Sequence, residues 1–130
     1  MHDQPSSAEL VGAAEQFLRD VAMKQLQGHA EFHARVAANA LGIVKRELEL
    51  GPKQFAAERK RLEELLDESG ELEALNRELC RRIREGEVDM DTPGLGDHLW
   101  AATLEKLAID QPKYSGYQKA LEERGLTSKD

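Results

Sequence analysis

The chain has 130 residues, 33% of them charged and 40% in the hydrophobic set, a balance that predicts one folded domain and argues against disorder. A net charge of −7 argues against general binding to nucleic acid or to anionic membranes, because both require a basic protein surface. The single cysteine excludes an internal disulfide and, with no signal-peptide pattern and no apolar stretch of membrane-spanning length, predicts a cytoplasmic protein.

The first predicted helix covers about residues 7–27. Ser6 followed by Glu9 three positions later is typical of a capping box, in which each side chain accepts a hydrogen bond from the other residue's backbone N–H. Leucine, alanine, phenylalanine and valine then recur at helical spacing on one face. Gly28 follows as the predicted stop.

The second predicted helix covers about 29–50 and has a broad apolar face. That face extends over roughly half the circumference at about 100° per residue, and it contains Phe32, Val36, Ala40, Leu41, Ile43, Val44 and Leu48. Such a face predicts a central helix that packs against neighbours on more than one side. Gly51-Pro52 is predicted to end it, because glycine accepts a left-handed cap and proline lacks the N–H that continues the hydrogen-bond ladder.

The rest of the chain is predicted to be helical as well. Helices are predicted at about 53–68, 71–85 and 93–109, the last with Thr92-Pro93 as its cap and first-turn proline, and a short frayed helix is predicted near 118–124. The expected fold is therefore all-α: a compact bundle of about five helices with short connections over residues 1–112, followed by a C-terminal tail over 113–130.

Several polar residues fall on or beside the apolar faces of the predicted helices. They are His33, Arg35, Asn39, Arg46 and Glu47 on the second helix, Asn76 on the fourth and Lys106 on the fifth. A buried polar group without a partner costs about 1–3 kcal/mol, so these side chains require hydrogen-bond partners. Three arrangements satisfy that requirement: an internal network, a small-molecule pocket, or a contact surface for another protein.

The histidines and carboxylates of the second helix do not form a recognised catalytic or metal-binding pattern. His29 and His33 are four residues apart, but a zinc-protease motif requires glutamate directly after the first histidine, and Glu31 comes one residue later. His33 and Glu47 are 14 residues apart, about 21 Å along a helix, which excludes a catalytic dyad. We therefore predict no catalytic residue, no cofactor and no metal site.

A basic patch on the fourth predicted helix is a candidate anion site. Arg77, Arg81 and Arg84 line one side of that helix and would suit a phosphate-bearing ligand such as a nucleotide or coenzyme A. The alternative is a solvated face on which the arginines pair with nearby glutamates. Cys80 lies on the apolar side of the same helix and is predicted to fill the core.

The sequence of the second helix, FHARVAANALGIVKREL at residues 32–48, resembles a bacterial family of unknown function, DUF6285. Three further segments fit the same family in the same order along the chain, at 3–10, 75–84 and 106–114. The helix segment is the most specific of the four. Together they span nearly the whole chain, and the tail after Tyr117 lies outside the resemblance.

The resemblance implies a biological context rather than a reaction. Members of the family are typically encoded beside kinases similar to aminoglycoside phosphotransferases and beside acyl-CoA dehydrogenases, and one group is similar to the accessory subunit of the hydroxyacyl-CoA kinase of levulinate catabolism. The implied function is a non-catalytic subunit with such a kinase as its partner. The alternatives are a small helical module that binds acyl-CoA or another phosphate-bearing ligand, a homodimer, and an independent enzyme that uses His33.

Overall fold

The computed structural model describes residues 3–125, and every regular element in that range is helical. The helices are α1 (Ser7–Phe17), α2 (Met23–Gln25), α3 (His29–Leu66), α4 (Leu72–Arg84), α5 (Leu95–Asp110) and α6 (Ser115–Glu123). The predicted all-α fold class is confirmed. The chain divides into two compact units, residues 1–52 and residues 53–130.

α6 lies within the predicted tail. It occupies the part of the chain where the sequence predicted a short helix, and it contacts α5. Ala120 of α6 is buried, and the Arg124 guanidinium lies 5.5 Å from the centroid of the Trp100 ring on α5. The division into a domain at 1–112 and a tail at 113–130 stays a prediction, and the last five residues of that tail lie outside the described residues.

α1 begins with the predicted capping box, which is confirmed. The Ser6 backbone N–H donates to Glu9 Oε2 at 2.7 Å, and the Glu9 N–H donates to Ser6 Oγ at 3.2 Å. The continuous helix predicted for 7–27 is instead interrupted by a π-helical turn at Leu18–Ala22, which separates α1 from the short α2. The chain then turns into α3 through Gly28, whose φ is +61°.

α3 continues through Gly51-Pro52, so the prediction that this pair ends a helix is wrong. Proline within a helix removes one N–H and crowds the carbonyl four residues earlier, which costs about 3 kcal/mol. Packing on both sides offsets that cost, because Ala34 and Ala38 are buried before the proline and Leu62 is buried after it. Tertiary contacts therefore override the local helix breaker.

Small residues form the contact between α1 and the first part of α3. Ala38 is fully buried, and among the described residues of the first unit only alanines and glycines are buried. Gly42 is one of them: a Cβ placed there would lie 3.3 Å from Glu15 Oε1 and 3.3 Å from Arg46 Nη1. The two helices therefore approach closely at Gly42, and Leu41 beside it is half-buried.

Large apolar side chains form the core of the second unit. The buried cluster consists of Leu62, Leu66, Leu75, Leu79, Val88 and Leu95, with Leu65 and Leu72 packed against it. It joins the end of α3 to α4, to the loop after α4 and to the start of α5. Removal of these side chains from water is the main favourable contribution to the folding of this unit.

α5 begins two residues later than the sequence predicted. The predicted cap at Thr92-Pro93 is wrong, because the N-cap residue is Gly94, with a φ of +91° that favours glycine. Thr92 belongs to the preceding turn, where its Oγ1 accepts the Asp89 N–H at 3.0 Å. The Thr92 hydroxyl therefore forms a hydrogen bond within this turn and does not cap α5.

Candidate functional site

Within the first unit, α1 and the first part of α3 carry exposed large apolar side chains. They include Leu10, Phe17 and Val21 in and just after α1, and Phe32, Val36, Val44, Leu48 and Leu50 on α3. The prediction that the broad apolar face of 29–50 packs in a core is therefore wrong for this unit. The physical reason is that α1 lies on the side of α3 that carries Gly42, which leaves most of the large side chains uncovered, although Leu41 and Ile43 are half-buried.

The polar residues predicted within that apolar face share its exposure. His33 and Glu47 are exposed, and the His33 ring makes an edge contact with the Phe32 ring, with centroids 5.6 Å apart. The expectation that they are embedded in the fold is wrong, because α1 does not cover this face of α3. An open apolar face with a few polar groups has the composition of a protein contact surface.

The other polar candidates on α3 interact within the first unit. Arg35 pairs with Glu31 at 3.2 Å, and both side chains are largely exposed. Asn39 is also exposed, and its Oδ1 accepts a hydrogen bond from Arg19 Nη2 at 3.1 Å. Arg46 is half-buried. The Arg19–Asn39 hydrogen bond holds the segment after α1 against α3.

Asn76 and Lys106 belong to the second unit and have different surroundings. Asn76 is half-buried, and its Nδ2 donates to Glu58 Oε1 at 3.0 Å, which links α4 to α3. Lys106 is exposed on α5, and Leu99, on the same predicted face, is 41% exposed. The predicted apolar face of this helix is therefore only partly covered, and Lys106 is solvated rather than embedded.

The arginines of α4 are paired with carboxylates. Arg77 pairs with Glu73 at 3.0 Å. Arg81 pairs with three glutamates: Glu78 at 2.8 Å, Glu87 at 3.0 Å, and Glu85. Arg84 is exposed near the end of the helix. An anionic ligand would have to compete with these carboxylates for Arg81, so the contacts favour a solvated face. The anion site stays a hypothesis.

Glu78 and Arg82 link α4 to the end of α3. Arg82 donates to Glu78 at 2.7 Å, to the Leu66 carbonyl oxygen at 3.0 Å and to Glu68. Hydrogen bonds from Arg81 and then Arg82 hold the pKa of Glu78 at about 2, so this carboxylate stays ionised. Arg82 also satisfies a carbonyl that the end of α3 leaves unpaired. The cluster therefore has a structural role.

Cys80 is exposed, so the prediction that it fills the core is wrong. Leu75 and Leu79 take the buried direction of α4. Cys80 follows Leu79 directly and is therefore rotated by about 100° away from the core.

A buried histidine on α5 is a polar feature that the sequence analysis did not single out. His98 is 3% exposed, and within the described residues its Nδ1 has no hydrogen-bond partner. Arg61 of α3 donates two hydrogen bonds to Glu105 of α5, at 3.0 and 2.6 Å. Arg61 and His98 also line an open groove of about 410 Å³ between α3 and α5.

His98 makes the stability of the chain depend on pH. Burial lowers the pKa of His98 from 6.5, and the positive charge of Arg61 lowers it further. The folded chain therefore binds this proton less readily than the unfolded chain, so the contribution of His98 to stability is constant above about pH 6.5 and decreases as the pH falls below that value.

We expect the free energy of unfolding to decrease between about pH 7 and pH 5, and to decrease less in the variant His98→Leu, because the leucine takes up no proton. Urea titration followed by circular dichroism at each pH measures both slopes. Equal slopes in the two proteins would contradict a buried, proton-excluding His98.

A known protein family matches most of the chain. The family described as "Domain of unknown function (DUF6285)" matches residues 24–114. The chain belongs to the DUF6285 family. This membership confirms the resemblance found in the sequence, although the description of the family carries no activity. Comparison with curated proteins and with solved structures found no match.

The DUF6285 match covers α3, α4 and α5 and leaves α1 and α6 outside. It includes the open face of α3 and the cluster of His98, Arg61 and Glu105. Within residues 3–125, no helix combines the length and the apolar character needed to cross a lipid bilayer. In the same range, no three His, Cys, Asp or Glu side chains come together as metal ligands would.

The position of His98 in the sequence already indicates burial. It lies three residues after Leu95 and four before Ala102, which places it on the apolar face of the predicted helix. Like the other polar candidates, His98 is a polar residue on the apolar face of a predicted helix. Arg61 and Glu105 gave no such signal, because they are 44 residues apart and meet only in the folded chain.

Proposed function

We propose that this DUF6285 protein is a non-catalytic accessory subunit that binds a kinase similar to aminoglycoside phosphotransferases and serves acyl-CoA or hydroxy-acid catabolism. The observation that carries the proposal is the exposed apolar surface of the first unit. The identity of the partner comes from the gene neighbourhood that the family resemblance implies.

The binding surface is the α1 stripe, which we define as Leu10, Ala14, Phe17 and Val21. These residues recur at intervals of three or four positions and share one side of the helix. Leu10 and Phe17 are each 58% exposed. Contiguous apolar patches are uncommon on soluble monomers and typically mark contacts with other proteins. A phenylalanine surrounded by aliphatic side chains is a suitable anchor for such a contact.

The segment that carries the α1 stripe is held in place at both ends. The capping box of Ser6 and Glu9 satisfies backbone donors at its start. The hydrogen bond from Arg19 to Asn39 ties the following turn to α3. Binding therefore requires little additional ordering of this segment, which favours affinity.

Substitution of the α1 stripe tests the proposal. The full chain is co-expressed with the neighbouring kinase, and the kinase that co-purifies is quantified. We expect Leu10→Glu and Phe17→Glu each to reduce it at least about tenfold, because loss of a buried hot-spot side chain costs about 2 kcal/mol or more and a tenfold change in affinity corresponds to about 1.4 kcal/mol. The matched control is Met90→Glu, at a residue of the second unit that is 70% exposed.

The kinase rate supplies a second measurement. Phosphorylation of hydroxy acids and hydroxyacyl-CoA esters is followed with the kinase alone and with the chain added. We expect the wild-type chain to increase the rate or the lifetime of the kinase and the two stripe variants to have less effect. Absence of a complex together with an unchanged kinase rate would contradict the proposed function.

A further inference from the structure

The first unit has a second uncovered surface, which lies on α3. We call it the α3 stripe, and its residues, all exposed, are His33, Val36, Ala40, Val44 and Glu47. Val36 is 48% exposed and Val44 is 42% exposed. The α3 stripe points away from α1, because Gly42, which lies against Glu15 of α1, is rotated by about 160° from Ala40. It is therefore distinct from the α1 stripe.

The α3 stripe has a symmetric order about Ala40. Val36 and Val44 lie four residues before and after Ala40, and His33 and Glu47 lie seven residues before and after it. A two-fold axis through Ala40 brings each residue opposite the one that is equally far on the other side, as an isologous interface requires. Contact with an unrelated protein imposes no such symmetry.

We infer that two copies of this chain associate through the α3 stripe, with each α3 antiparallel to the partner's α3 and the two-fold axis at Ala40. His33 then faces the partner's Glu47 at each end of the stripe. Val36 faces the partner's Val44 on each side of the axis. The two small Ala40 side chains at the crossing allow the helix axes to approach to about 8 Å.

Charge complementarity selects the antiparallel arrangement. Within one chain His33 and Glu47 are about 21 Å apart along α3 and cannot meet. Antiparallel association brings an imidazole and a carboxylate together twice, whereas parallel association would place Glu47 against the partner's Glu47. A polar pair in an otherwise apolar helix contact also defines the register of the two helices.

The surroundings of the α3 stripe suit burial. On the side of α3 that lies within about 80° of Ala40, only three residues between positions 29 and 51 are polar. They are His29, His33 and Glu47. Among its described residues, the first unit buries only alanines and glycines. Association would bury valines at the centre of four helices, two from each copy, which is the packing that helix bundles use.

A charge exchange tests the arrangement in the full-length chain. Sedimentation equilibrium gives the dimer Kd for wild type, His33→Glu, Glu47→Lys and the double variant. We expect each single variant to raise the Kd at least about tenfold. His33→Glu sets two carboxylates against each other, and Glu47→Lys removes the carboxylate to which the imidazole N–H would donate. The double variant should return the Kd to within about threefold of wild type, because glutamate then faces lysine. The control is Glu73→Lys, at an exposed position of α4, which should leave the Kd unchanged.

These substitutions leave the ion pairs of α3 in place, although those at His33 remove its ring contact with Phe32. No Asp, Glu, Lys or Arg lies three or four positions from His33 or from Glu47, so the changes alter no ion pair along α3. Circular dichroism of each variant verifies that the helices are intact. A loss of association therefore reports the contact between copies rather than a loss of folding.

Crosslinking at the axis supplies a second test. In a Cys80→Ser background, Ala40→Cys places two thiols at the crossing point, and mild oxidation should link the two copies. Arg35→Cys, on the opposite side of α3, should give no crosslink. Wild type that is monomeric over the whole micromolar range would overturn the inference. If the Ala40→Cys copies crosslink but the His33→Glu, Glu47→Lys double variant does not recover the dimer Kd of wild type, the antiparallel arrangement is wrong.

Discussion

Leu62→Ala is expected to lower the free energy of unfolding of the second unit by about 3–5 kcal/mol. Leu62 is fully buried, and it belongs to the leucine cluster that joins α3, α4 and α5. Truncation removes apolar surface that was withdrawn from water and leaves a cavity that the surrounding helices fill only in part. The loss is large relative to the total stability of a typical domain, about 5–15 kcal/mol.

Trp100 provides a specific probe for this measurement. It is the single tryptophan of the chain and lies on α5, in the same unit as Leu62. Its fluorescence during urea unfolding therefore reports the second unit. The matched control is Leu99→Ala, at a leucine that is 41% exposed, where we expect a loss below about 1 kcal/mol. Equal losses in the two variants would contradict a core centred on Leu62.

Local chemistry made the elements of the fold predictable, but not every boundary. The capping box of Ser6 and Glu9 requires only neighbouring residues, and it was identified from the sequence. Pro52 is also a local signal, yet α3 passes through it, because packing on both sides stabilises the helix. Whether a helix-breaking residue ends a helix depends on contacts between residues that are distant in sequence.

Periodicity predicted which residues share a helix face but not which face is covered. On α3 the large apolar side chains were assigned to the core, whereas α1 lies against Gly42, and the buried residues of this part of the helix are alanines and glycines. Small side chains give a weak hydrophobic signal but allow two helices to approach closely. The uncovered face with His33 and Glu47 was therefore recognised as unusual in sequence, and its exposure became evident only in the fold.

The second prediction with a large effect concerns Glu105. Arg61 and Glu105 are about three-quarters buried, with side chains 27% and 24% exposed, and they form a bidentate pair. Glu105→Gln keeps the shape but removes the charge and one acceptor, so we expect a loss of about 1–3 kcal/mol in the free energy of unfolding. The matched control is Glu73→Gln, whose pair with Arg77 is largely exposed and should contribute below about 1 kcal/mol.

The same variant should change the pH dependence in a defined direction. The charge of Glu105 raises the pKa of His98, against the larger effects of burial and Arg61, so its removal lowers that pKa further. The decrease in stability that begins near pH 6.5 then continues to lower pH in Glu105→Gln than in wild type. Adding His98→Leu to Glu105→Gln should remove this difference. If the difference persists without the histidine, the two residues are not coupled, and the cluster reduces to an isolated ion pair.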